Sequence, residues 1–222
     1  MEVLNEIEHV FEASRDIENA FAMEKYMRNI FPFLGIKSPE RRELSKPFLK
    51  KYSPNEKSDL IKLLGLLWEK EEREYQHFAM DLAFKNYHLL SDEIEDGIVK
   101  KMIIEKSWWD TIDMIATKIV GQAVLKKLIA PQFLDTWIVD ENIWLKRTAL
   151  LHQLKFKTKT DKEKLFKYCD LSKSHNDFFI KKALGWVLRE YSKTNPDAVA
   201  EYIDNNIETL SPLSIREGSK YL

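Results

Sequence analysis

Apolar residues recur at three- and four-residue spacing along almost the whole chain, as in Leu60, Leu63, Leu64, Leu67 and Trp68, while sustained alternation of apolar and polar positions is scarce. The pattern predicts an all-α protein. Ser38-Pro39, Ser53-Pro54, Pro131, Asn195-Pro196 and Ser211-Pro212 fall between the periodic stretches, where each can end one helix or seat proline in the first turn of the next. An aromatic residue opens a helix again and again: Tyr75 in EYQHFA, Trp109 in WDTID, Trp144 in WLKRTA and Phe179 in FIKKA, at intervals of 34, 35 and 35 residues. That period belongs to a stack of helix pairs, in which each pair buries its faces against its neighbours. It predicts a helical repeat solenoid forming one domain over residues 1–222. The helices beginning near these four aromatics are expected side by side as the inner row of a curved stack, with Tyr75 and Phe179 as packing knobs.

Composition narrows the setting. With 222 residues, 44% hydrophobic and 32% charged, and only 6 Gly and 7 Pro, the chain can bury a sizeable core and has little material for linkers. A net charge of −1 does not exclude nucleic acid, because 35 basic and 36 acidic residues can segregate onto different faces. The single Cys169 can form no intramolecular disulfide and has no Cys or His cluster around it in sequence, so neither a metal nor a cofactor is expected. The opening MEVLNEIEHVF places acids among its first apolar residues, unlike a secretory leader, and the apolar patch from Leu63 to Trp68 is too short to span a bilayer. A cytoplasmic protein without a membrane segment is expected.

Chemistry concentrates in three successive repeats. Trp109 and Asp113 are four apart and so share a helix face; Trp144 and Arg147 are three apart; Lys182, Trp186 and Arg189 are spaced four and three. Equivalent positions of successive inner helices line one surface, which would present indole, carboxylate, guanidinium and ammonium groups together. The same residues have ordinary uses: Trp108 and Trp144 as core, Asp113 as a solvated helix residue, Arg147 and Arg189 paired with surface acids such as Glu190. On spacing alone a binding module stays ahead of an enzyme.

Four segments tip that balance. Tyr26-Met27-Arg28-Asn29 with FPFLGIKSPERR (through Arg42), KSWWDTID (Lys106–Asp113), DENIWLKRTALLHQLKFK (Asp140–Lys157) and FFIKKALGWVLREYSKTNPD (Phe178–Asp197) resemble, in order, the AlkD-like DNA alkylation repair family. The resemblance implies a HEAT-like/ARM-type α-α superhelix whose concave face binds double-stranded DNA as a monomer. It also implies a monofunctional glycosylase that releases cationic N3- or N7-alkylated purines and leaves an abasic site. The site residues it implies are Trp109, Asp113, Arg147 and Trp186. Ring alkylation already makes the base a good leaving group, so what remains is to stabilise the developing sugar cation and place water. Asp113 would do both, Trp109 and Trp186 would face the sugar, and Arg147 would grip a flanking phosphate. Tyr26, Lys37, Lys155, Lys182 and Arg189 are further DNA-contact candidates, and Lys157 and Lys159 extend the basic run. A basic concave face is expected, with Glu69, Glu71, Glu72 and Glu74 kept mainly outside it. The alternative is a catalytically silent repeat module that binds distorted DNA or a protein partner.

Overall fold

A computed structural model describes residues 2–54 and 56–222; Met1 and Asn55 lie outside it. Among the described residues every regular element is helical, as the apolar spacing predicts, and no helix is long and apolar enough to cross a membrane. The chain divides into two compact units, one ending at Leu90 and the other running from Ser91 to Leu222.

The first unit holds α1 (Glu2–Ala13), α2 (Ile17–Tyr26), α3 (Ser38–Lys51), α4 (Lys57–Glu69) and α5 (Arg73–Lys85). Helix α4 buries Leu60, Leu63, Leu64, Leu67 and Trp68, the stripe read from the sequence, and each such side chain contributes roughly 1.5–3 kcal/mol through burial. It packs on α5, where Tyr75 is a buried core knob as expected. Glu74, one of the acids expected mainly outside a basic concave face, has a structural use. It is completely buried, and its carboxylate accepts the backbone N–H groups of Leu34, Gly35 and Ile36 at 3.0, 2.9 and 3.0 Å. One charge thereby organises the turn that carries the FPFLGIK segment. Gly35 has φ +91°, and a Cβ there would fall 1.9 Å from the Asp16 carbonyl oxygen, so the turn admits only glycine.

The second unit comprises α6 (Ile98–Ile104), α7 (Trp109–Met114), α8 (Gly121–Leu125), α9 (Phe133–Trp137), α10 (Ile143–Leu151), α11 (Lys162–Ser172), α12 (Phe178–Ser192), α13 (Pro196–Asn205) and α14 (Pro212–Gly218). Helices begin at or within two residues of all four periodic aromatics: α5 at Arg73, α7 at Trp109, α10 at Ile143 and α12 at Phe178. Local capping explains two of these starts. The Asn142 side chain accepts the N–H of Trp144 at 2.9 Å, and that of Asp177 accepts the N–H of Phe179 at 2.7 Å. An Asx cap two residues before the aromatic sets the helix start and puts the ring in the first turn. Asn195 and Ser211 cap α13 and α14 in the same way, each followed by proline.

Helix α10 lies at the centre of this unit, with Leu145 to Leu151 buried. It packs against α7 on one side and α12 on the other, which gives the expected order of neighbours within this unit. Between α7 and α8 the helix widens into one π-helical stretch, Ile115–Val120, directly after the turn that carries Asp113. Thr117 Oγ1 donates to the Asp113 carbonyl at 2.7 Å there. A Cβ at Gly121 would stand 2.3 Å from the His152 carbonyl oxygen, so glycine permits the close approach of this helix to the end of α10.

Candidate active site

Three successive helices of the second unit bring the sequence candidates together. Asp113 comes from α7, Arg147 from α10 and Trp186 from α12. The Arg147 fork is bidentate on the carboxylate, with Nε to Oδ1 at 2.8 Å and Nη2 to Oδ2 at 2.9 Å. Its remaining terminal nitrogen, Nη1, donates to the Phe179 carbonyl. The Arg147 side chain is 1% exposed and that of Asp113 is 22% exposed. The guanidinium therefore does not stand open toward solvent, whereas the family resemblance implied a grip on a flanking phosphate. It is a buried partner of the carboxylate.

The indole of Trp186 lies beside this pair. Its ring centroid is 5.4 Å from the Arg147 guanidinium carbon and 5.8 Å from that of Arg189, distances at which a cation is attracted to the ring face. Trp109, half-buried, opens α7 one turn before Asp113. Burial pushes the Asp113 carboxyl above the usual carboxylate range, opposed by the hydrogen bonds and charge of Arg147.

Neither Trp108 nor Trp144 is core, because both are only half-buried. They meet Phe179 in a three-ring cluster, with centroid separations of 5.7 Å (Trp108–Trp144), 4.9 Å (Trp108–Phe179) and 5.1 Å (Trp144–Phe179). The periodic aromatics Trp144 and Phe179 thus touch each other. The ring that joins them from the preceding repeat is Trp108. Phe179, expected as a packing knob, also supplies the carbonyl that holds Arg147.

Lys182 and Arg189 lie on the Trp186 face of α12, and both bond to Glu217 of α14 at 2.8 Å. Glu190, suggested as a partner for the arginines, pairs with Lys193 instead. Sequence reading missed Glu217, which sits in SPLSIREGSK with no spacing that ties it to α12. Gly185, among the larger residues of α12, was the one available signal of a close neighbour. Lys155 is exposed in the loop beyond α10, together with Lys157 and Lys159. Tyr26 and Lys37 belong to the first unit, where both are exposed, one ending α2 and the other preceding α3.

The profile of a protein family described as "DNA alkylation repair enzyme" matches residues 7–222. No curated protein matches the chain. Among solved structures, a predicted DNA alkylation repair enzyme from Enterococcus faecalis is 40% identical, with a TM-score of 0.83 over 94% of this chain and 96% of the other. AlkD2 from Streptococcus mutans is 18% identical, with a TM-score of 0.63 over 82% of this chain and 89% of the other. The smu.31 protein of Streptococcus mutans UA159 is 19% identical, with a TM-score of 0.61 over 82% of this chain and 97% of the other. These last two bear on the fold alone, that of a helical repeat protein. With a profile match across nearly its whole length, the chain belongs to the DNA alkylation repair enzyme family.

Proposed function

We propose that the protein is a monofunctional DNA glycosylase of base excision repair that excises cationic N3- and N7-alkylated purines from double-stranded DNA. The observation that carries this reading is a partly buried carboxylate, Asp113, held by a buried arginine between helices that also supply Trp109 and Trp186. Each carboxylate oxygen has two acceptor sites, and Arg147 uses one on each. The remaining lone pairs, on the exposed fifth of the side chain, are free to orient a water and to face a sugar. A fixed negative charge in a partly desolvated setting favours the cationic character that develops on deoxyribose as the base departs. The electron-rich faces of Trp109 and Trp186 add about 0.5–2 kcal/mol each toward the same charge. No general acid is required, because the alkylated base leaves as a neutral purine.

In this scheme Arg147 positions Asp113 and keeps it ionised, and phosphate contacts fall to the exposed Lys155 and the partly exposed Lys182 and Arg189, with Tyr26 and Lys37 as candidates from the first unit. The chain is expected to act as a monomer. The test is incubation with methylated duplex DNA, followed by alkaline cleavage of abasic sites and chromatography of released bases. Release of N3-methyladenine and N7-methylguanine supports the assignment. Binding without release would favour a catalytically silent module, and neither binding nor release would turn attention to a protein partner.

A further inference from the structure

Glu217 is an unusual acid. Its side chain is 5% exposed, yet three cations converge on it: Lys182 Nζ on Oε1 at 2.8 Å, and Arg189 Nη1 and Lys220 Nζ on Oε2 at 2.8 and 3.0 Å. One negative charge against three positive ones leaves the cluster with a net charge of about +2, and no other acid among the described residues is recorded in contact with these three cations. Lys182 and Lys220 hold the Glu217 carboxyl down at about 2, so it stays ionised under working conditions.

The cluster is also built into the fold. A Cβ on Gly185 would lie 2.6 Å from the Glu217 Cβ, so glycine lets α14 press against α12 at the level of the carboxylate. Ser214, one turn earlier on α14, donates to the Lys181 carbonyl at 2.9 Å and pins the same contact. Lys182 and Arg189 then stand at positions −4 and +3 from Trp186, on one face of α12. Each keeps about a quarter of its side chain in solvent, at 26% and 27%.

A carboxylate needed only as helix glue would be satisfied by one cation. Three leave a surplus of positive charge beside Trp186, whose ring also faces the Arg147 that holds Asp113. We propose that Glu217 is a positioning residue: it fixes Lys182 and Arg189 on either side of Trp186 as a clamp for a backbone phosphodiester next to the Asp113 site. The C-terminal helix is thereby part of the DNA-reading surface. This deepens the glycosylase assignment and rests on it. Long, flexible cations bind phosphate with less ordering loss when a buried carboxylate has already fixed them.

The experiment measures binding of an undamaged duplex against salt concentration for the full-length wild type, Glu217→Gln, Lys182→Ala with Arg189→Ala, and all three changes combined. Removing two phosphate contacts should make the log–log salt slope shallower by about 2. Glu217→Gln should shift the slope in that same direction even though it raises the net positive charge, and it should have no further effect once the two cations are gone. A slope unchanged or steeper in Glu217→Gln would make the carboxylate a mere counter-ion and overturn the clamp. So would an undiminished Glu217→Gln effect in the combined variant. Should Glu217→Gln melt below the assay temperature, Glu217→Asp, which keeps the charge but withdraws it by one methylene, is read the same way. A parallel single-turnover excision assay on an N7-methylguanine duplex should show Glu217→Gln about 10-fold slow. A wild type that binds DNA but excises nothing sinks the glycosylase assignment, while the salt slopes still decide the clamp.

Discussion

Arg147 and Asp113, 34 residues apart in the chain, meet through two parallel hydrogen bonds of 2.8 and 2.9 Å, with the arginine almost wholly buried and the carboxylate at the solvent edge. The arrangement is asymmetric. Arg147 has given up water and has Asp113 and the Phe179 carbonyl in exchange, whereas Asp113 keeps part of its surface for a reactant. A guanidinium placed this way orients the carboxylate, and the carboxylate does the chemistry.

Asp113→Asn tests the charge. Asparagine keeps the size and one acceptor oxygen but loses the field that favours a sugar cation, so single-turnover excision of N7-methylguanine should fall on the order of 100-fold. Binding of the same duplex should stay nearly unchanged, because removing a carboxylate near phosphates relieves repulsion. Excision at the wild-type rate would sink the proposed mechanism.

Arg147→Met tests the positioning role through pH. The active form is the carboxylate, so activity is lost as pH falls through the Asp113 pKa of the folded protein. That pKa is already raised by burial, and Arg147 is the group that opposes the rise. Without the guanidinium, the acid limb of the excision profile should move to higher pH, while DNA binding at neutral pH changes little. A large loss of binding with an unmoved acid limb would return Arg147 to a phosphate contact.

Helix starts were legible in the sequence because they are local: Asn142 and Asp177 stand two residues before Trp144 and Phe179, and an Asx cap acts over that range. Trp109, Asp113, Arg147 and Trp186 were named together from the sequence, and α7, α10 and α12 bring Asp113, Arg147 and Trp186 within reach of one another. What each cation binds was not legible, since a guanidinium can fork onto a carboxylate or a phosphate with the same geometry. Trp108 and Trp109 are adjacent and differ only in the direction each leaves the start of α7, which composition cannot rank. Glu74 hides in the acidic run EKEEREY, where only the fold reveals three converging backbone donors.

Glu74→Gln replaces an acceptor-only carboxylate with a group that must turn N–H toward at least one of those donors. The amides of Leu34, Gly35 and Ile36 have no water to fall back on, as Glu74, Leu34 and Ile36 are at most 1% exposed. A loss of about 2–4 kcal/mol is expected for a buried charge-assisted network broken in this way. Hydrogen exchange should locate it, with those three amides among the first in the unit to lose protection. Unchanged protection would mean the turn is held by Gly35 and the surrounding apolar packing alone.

His152 is expected to dominate the response to acid. It is completely enclosed at the end of α10, 2% exposed, with Nδ1 2.6 Å from the Ala149 carbonyl oxygen, and desolvation brings its pKa down from 6.5 to about 4. A base whose folded pKa lies below its unfolded value takes up its proton more readily in the unfolded chain. Its stabilising contribution is therefore complete above about pH 6.5 and is lost as pH falls toward 4, amounting to about 3 kcal/mol across the window. Two carboxyls work against or outside this trend. Asp113, with its raised pKa, is better tolerated in the fold as it protonates and offsets part of the loss, whereas Glu217, held at about 2, costs stability only below about pH 4.5. The net expectation is a melting temperature that declines steadily from pH 6.5 to 4.5 in the wild type and much less steeply in His152→Gln, whose side chain carries no titrating group. Gln can still donate to the Ala149 carbonyl, so the comparison isolates the proton rather than the hydrogen bond. Parallel declines in the two proteins would place the acid sensitivity elsewhere and would mean that His152 is protonated in the folded protein.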